Sequence, residues 1–147
     1  MSRLFTIIIS VLFLVFSASC QSTKEKEKGA IEALIKTNAE SFEKENLDGY
    51  IATLDPESPE LENTRAMMGE LFKKYDLKIK IENVRILKVG EDKADVEVVQ
   101  VTEKVTGGDF RNNRVDIIHH LKKINGAWKI SGSDTIKIDY FDQSKDD

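Results

Sequence analysis

The hydrophobic period of this chain changes once, near Asp76, from the 3.6-residue repeat of helices to the two-residue repeat of strands. Before that point, Ile31, Leu34, Ile35, Asn38 and Phe42 fall on one stripe of a helix expected from Gly29 to about Glu45. Asn46-Leu47-Asp48-Gly49 interrupts it, and Tyr50 to Leu54 reads as a short second helix ended by Asp55-Pro56. Ser58-Pro59-Glu60 opens a third, with Ser58 as cap and Leu61, Met68, Leu71, Phe72 and Tyr75 along one side. After Asp76, Leu77, Ile79 and Ile81 alternate, and Val84 and Ile86 continue one residue out of phase, the mark of a bulge. Ala94, Val96 and Val98 form a second strand, with Val99, Val101 and Val105 on the opposite phase, which predicts a bend or cover on both faces. A third strand is expected from Phe110 to Lys123 after the turn Thr106-Gly107-Gly108-Asp109, with Val115, Ile117, His119 and Leu121 in phase. Asn125-Gly126 is the strongest hairpin signal. A fourth strand follows through Trp128, Ile130, Ile136, Ile138 and Tyr140, with a bend at Gly132. Helices followed by long antiparallel strands define an α+β class: three N-terminal helices packed on a bent four-stranded antiparallel sheet.

The segment ahead of this pattern has a different purpose. Arg3 precedes an almost unbroken apolar run from Leu4 to Phe16, and the small residues Ser17, Ala18 and Ser19 lead to Cys20, the one cysteine of the 147 residues. A charged start, an apolar centre and a small-residue end are the layout of a signal peptide over residues 1–19. A thirteen-residue helix spans about 20 Å, short of the ~30 Å hydrocarbon core, which disfavours a permanent membrane span. Ser17-Ala18-Ser19-Cys20 resembles the bacterial lipobox, with Ser17 where leucine is usual. The resemblance implies cleavage before Cys20, acylation of its thiol by palmitate-type chains, and export to the surface of the cell membrane or the outer membrane. The alternative is plain secretion with an incidental cysteine. Lone Cys20 can form no internal disulfide, and two or three acyl chains hold a protein firmly where one does not. Residues 20–28, polar and charge-alternating, read as a flexible tether, 29–141 as the domain, and 142–147 as a polar tail.

Composition narrows the partners. Charged residues make up 33% of the chain, and the net charge of −4 becomes −5 once Arg3 is removed. An acidic chain with no basic stripe is not built for nucleic acid.

Residues 29–140 resemble the nuclear-transport-factor-2-like superfamily (the SnoaL-like and ketosteroid-isomerase-like cones). The resemblance rests on the N-terminal helix, on Asn46 to Tyr50 leading into a short helix, and on the ending Leu121 to Ile130 with its Asn125-Gly126-Ala127-Trp128 turn. It implies a cone of bent sheet closed by helices, with a pocket that Tyr50, His119 and Trp128 would line. Some such domains are isomerases or dehydratases, others only bind or dimerise through the sheet, so the fold alone does not decide the activity.

For an enzyme, His119 is the candidate base, since it shares the inward phase, and Asp55 and Asp48 are candidate carboxylate bases of the ketosteroid-isomerase kind. Each has a plainer explanation: His119 as a core or rim histidine, Asp55 and Asp48 as turn and cap residues. His120 lies on the opposite phase with Arg114 and Asp116, a polar face, so the two histidines cannot share a metal, and no metal or cofactor is expected. The favoured expectation is a membrane-anchored, non-enzymatic domain that binds a small ligand or an envelope protein. The alternatives are the isomerase or dehydratase, and an assembly module forming a homodimer through its sheet.

Overall fold

The computed structural model describes the backbone of residues 2–141 and the side chains of residues 23–141. The order is α1 (Ser2–Glu43), α2 (Leu47–Ala52), α3 (Leu61–Lys74), β1 (Tyr75–Val89), β2 (Lys93–Gly107), β3 (Asn113–Ile124) and β4 (Ala127–Tyr140). The strands pair antiparallel in chain order, β1-β2-β3-β4, so the expected α+β architecture is the one the chain adopts.

The phase slip in β1 is a bulge: Ile81 pairs with Gln100 and Asn83 with Val99, leaving Glu82 as the extra residue. Two further slips bend β4. Leu121 pairs with Ile130 but His120 with Gly132, which leaves out Ser131, and Ile136 is left out between Thr135 and Lys137. The expected bend at Gly132 is therefore made by its neighbour. Asn125 and Gly126 both take positive φ, 50° and 80°, as a tight hairpin turn requires.

The core lies between α1 and the sheet. Ile31 and Ile35 of α1 meet Ala94, Val96, Val98, Leu121, Trp128 and Ile130, and Ile31 and Val96 are wholly buried. On β2, Val99 is buried on the opposite phase while Val105 is 58% exposed, so that face is covered in part. Ion pairs also lie on this outer face: Arg85 bonds Glu97, and Arg114 bridges Glu82 and Asp116 at 2.8–2.9 Å.

Several boundaries differ from the pattern's expectation. The helix does not begin at Gly29 after a flexible tether; it runs continuously through residues 20–28, and its Glu27 is bound to the sheet. Helix α2 starts earlier, at Leu47, because Asn46 Oδ1 accepts the Gly49 amide at 3.0 Å. Leu54 leaves the helix and forms a parallel bridge with Ile130. Ser58 does not cap α3; its hydroxyl serves a turn, and the helix begins at Leu61. Of the two adjacent methionines Met68 is buried and Met67 is 61% exposed. Strand β3 starts at Asn113 rather than Phe110, since Phe110 stacks on Tyr75 outside the ladder. The expected tail, 142–147, lies outside the described residues.

Candidate functional site: a cleft between α2, α3 and β4

The bridge from Leu54 to Ile130 draws the α2–α3 connection onto β4, and its backbone bonds are reciprocal. The Asp55 amide donates to Ile130 O at 2.8 Å and the Ile130 amide to Thr53 O at 3.0 Å. Beside this seam, where the Ser131 bulge turns β4 away, a cleft of about 310 Å³ opens. Tyr50, Leu54 and Leu61 supply its apolar wall, Ser58, Thr64, Ser131 and Ser133 its hydroxyls, and Glu60 a carboxylate. Tyr50 is fixed edge-on to Phe42, which packs in the same way on Phe72, and burial raises the Tyr50 phenol above its ordinary pKa.

The three expected pocket residues are not brought together. Tyr50 lines the cleft. Trp128 borders a separate groove of about 790 Å³ between α1, α2 and the β3–β4 turn, floored by Ala30, Ala33 and Ala52. Its indole Nε1 donates to Glu27 Oε2 at 2.7 Å, and Lys123 Nζ lies 5.0 Å over its ring. His119 does face inward, opposite Val96, and its Nδ1 lies 2.7 Å from Ser133 Oγ. It does not line the cleft itself and touches it only through the Ser133 hydroxyl.

The carboxylates do not join it. Asp48 is exposed and paired with Arg65 at 2.8 Å. Asp55 is buried, but its Oδ1 accepts the Glu57 amide at 2.9 Å within the turn, and Lys122 Nζ stands 3.7 Å from its Oδ2. A general base needs a hydrogen-bonded partner that orients it and faces the substrate. His119 has a hydroxyl in that position. Among the described residues no group of three acidic, histidine or cysteine side chains could hold a metal ion. Cys20 belongs to the residues whose side chains are not described.

The histidines titrate in opposite senses. Burial, and secondarily the neighbouring His120, push the His119 imidazole down from 6.5 to about 4. His120, on the outer face, lies between Asp134 Oδ2 at 3.0 Å and Asp95 Oδ1 at 2.7 Å. These two carboxylates, Asp134 the more, raise its pKa. Between about pH 6.5 and 4 the unfolded chain binds a proton at residue 119 that the folded domain refuses. Stability from His119 is thus complete above pH 6.5 and falls with acidification by up to about 3 kcal/mol. His120 works the other way: its stabilisation is complete below pH 6.5 and is lost as pH rises through its folded pKa. We expect His119→Asn, which can still bond Ser133, to lose less urea resistance than wild type between about pH 7 and pH 4.5. Parallel losses in the two proteins would contradict this.

Sequence reasoning missed Glu27 and the serines of β4. Glu27 sat in a run with no apolar stripe, and its partner Trp128 is 101 positions away. Ser131 and Ser133 reach the cleft because a bulge resets the facing of β4.

The fold is widely shared. A protein of unknown function with a cystatin-like fold from Nostoc punctiforme superposes with a TM-score of 0.62 at 19% identity, over 76% of this chain and 90% of that one. An NTF-2-like protein of unknown function from Shewanella oneidensis gives 0.59 at 15% identity, over 74% and 98%. A ketosteroid isomerase-like protein from Erwinia carotovora gives 0.55 at 18%, over 74% and 95%. These likenesses show the fold alone: the α+β cone that those proteins share. In sequence, the chain is 34% identical over 76 residues to the anti-sigma-I factor RsgI9 of Acetivibrio thermocellus, a stretch covering 52% of this chain and 11% of that protein. Residues 33–141 match the family described as the anti-sigma-I factor RsgI9, C-terminal domain. With that match running from α1 to the end of β4, this chain belongs to the RsgI9 C-terminal domain family.

Proposed function

We propose that this chain is a binding module held at a bacterial membrane through acylated Cys20, taking a small ligand or a protein segment in the cleft between α2, α3 and β4. The observation that carries the reading is the content of that cleft. It offers an apolar wall with Tyr50, Leu54 and Leu61, hydroxyls at Ser58, Thr64, Ser131 and Ser133, and one carboxylate, Glu60, that forms no pair with His119, whose Nδ1 meets Ser133 instead. Apolar surface with a few directional polar groups is what recognition requires. Isomerase chemistry is not favoured, since Asp48, Asp55 and His119 each spend their bonds on different partners. The family relationship points the same way: in the relative, a domain of this kind belongs to an anti-sigma factor, a protein that works by binding.

Cys20 supports the anchor by its solitude and by the small residues before it. The test is native mass spectrometry of the protein extracted from its own membrane, combined with radiolabelled palmitate feeding. We expect an acylated chain carrying a co-purifying molecule that Thr64→Arg, which fills the cleft, expels. Cys20→Ala is expected to stay uncleaved or appear in the soluble fraction. A wild-type protein that takes up no palmitate defeats the anchor, and a partner retained at full occupancy by Thr64→Arg defeats the cleft.

A further inference from the structure

We infer that one end of the domain is a membrane-facing base: the β1–β2 turn, the β3–β4 turn and the adjoining turns of α1 lie against anionic lipid headgroups. The inference rests on the anchored reading above and deepens it, because it sets how the domain stands on the bilayer.

The link between Cys20 and the domain has no slack. Helix α1 is continuous from Cys20 into the domain, and Glu27 lies seven positions after Cys20, about 10 Å along the axis. Glu27 is clamped at both oxygens, by Trp128 Nε1 at 2.7 Å and by Lys123 Nζ at 2.6 Å. A lipid on Cys20 therefore brings the β3–β4 turn close to the headgroup layer, itself about 5–7 Å thick on each side of the hydrocarbon. The second hairpin is at the same end, since the Lys123 amide donates to Asp92 O at 2.8 Å. The end of β1 is there too: Val84, Arg85, Ile86 and Val89 border a surface hollow with Lys24, Glu25 and Lys28.

Lys24, Lys26, Lys28, Lys88 and Lys93 are all exposed at this end. They outnumber Glu25, Glu91 and Asp92 on a chain whose net charge is −4, so the acidic excess lies elsewhere. Beside them Leu87 and Val89 are 44% and 40% exposed. Lysines around small apolar residues suit an anionic interface, with an attraction that acts over about a Debye length and weakens with salt. A protein partner would have to enter the space that the short helical link leaves between base and bilayer.

The test is lysine footprinting of the full acylated protein with a membrane-impermeant acetylating reagent. The protein is compared in phosphatidylglycerol-containing vesicles, phosphatidylcholine vesicles and detergent. Lys36 and Lys73, whose side chains are 76% and 74% exposed away from the base, are internal controls. We expect Lys24, Lys28, Lys88 and Lys93 to react severalfold more slowly on the anionic vesicles alone, with Lys36 and Lys73 unchanged and the protection reversed by salt. Protein that floats with the vesicles while all six lysines react as in detergent overturns the inference and leaves the anchor intact. Equal protection on phosphatidylcholine overturns the electrostatic docking. Protein without acyl mass that fails to float overturns the anchor, and this orientation with it.

Discussion

Trp128→Ala is expected to lower the unfolding free energy by about 3–5 kcal/mol, the range for removing a large buried aromatic. The side chain is 4% exposed and sits in the cluster formed by Ile31, Ile35, Val96, Leu121 and Ile130, where α1, β2, β3 and β4 meet. Its loss would leave a cavity at the centre of the packed layer between α1 and the sheet. It would also take from Glu27 the weaker of its two partners, since the Glu27 pKa is lowered first by its Lys123 bond and then by the indole. For a domain with ordinary stability of about 5–15 kcal/mol, this removes a large share. The midpoint of thermal unfolding should fall by roughly 10–20 °C. Trp128→Phe separates packing from the polar clamp, since it keeps most of the volume and gives up only the bond to Glu27, and it should cost about 1–2 kcal/mol. Melting followed by circular dichroism measures both. An alanine variant melting within a degree or two of wild type would mean that Trp128 is not a core residue.

Gly107→Ala is the second large effect, and its cause is backbone geometry. Gly107 has φ of +118°, and a Cβ there would lie 2.5 Å from Lys74 O and 2.9–3.0 Å from atoms of Tyr75. Lys74 and Tyr75 are the junction of α3 and β1, and Tyr75 pairs with Gly107 in the ladder. The carbonyl cannot retreat without pulling the end of the helix or the start of the strand. Backbone strain and the clash together should cost about 2–4 kcal/mol. Gly126→Ala is the control, because φ is +80° there but no atom lies within 4 Å. It should lose only about 1 kcal/mol of conformational preference. Chemical denaturation of both variants gives the comparison, and a Gly107 variant no worse than the Gly126 variant would exclude the clash.

These effects arise where local pattern and long-range packing meet. Alternation through Leu77, Ile79 and Ile81, and its slip before Val84, were enough to place both β1 and its bulge at Glu82, since side-chain facing in a strand is a local property. Asn125-Gly126 announced its turn for the same reason, and so did the inward phase of His119. The joint pocket of Tyr50, His119 and Trp128 was not correct. Inward-facing residues share a face of the sheet, but which helix covers each is settled by how α2 and α3 are drawn onto β4 through the Leu54–Ile130 bridge. Asp55 was read as a turn residue, and its bond to the Glu57 amide is that role. Ser58 was read as a helix cap from a motif that fits equally well in the turn it occupies.

By itself the amino-acid order determined the period change near Asp76, the succession of three helices and four strands and the antiparallel hairpins, because each is written in side chains close together along the chain. Only the tertiary structure decided where α1 begins, how the cleft is lined and which carboxylates stand apart from His119. Those depend on contacts such as Glu27 with Trp128 and on the bulges at Ser131 and Ile136, where residues far apart in the chain satisfy one another's burial and hydrogen bonds.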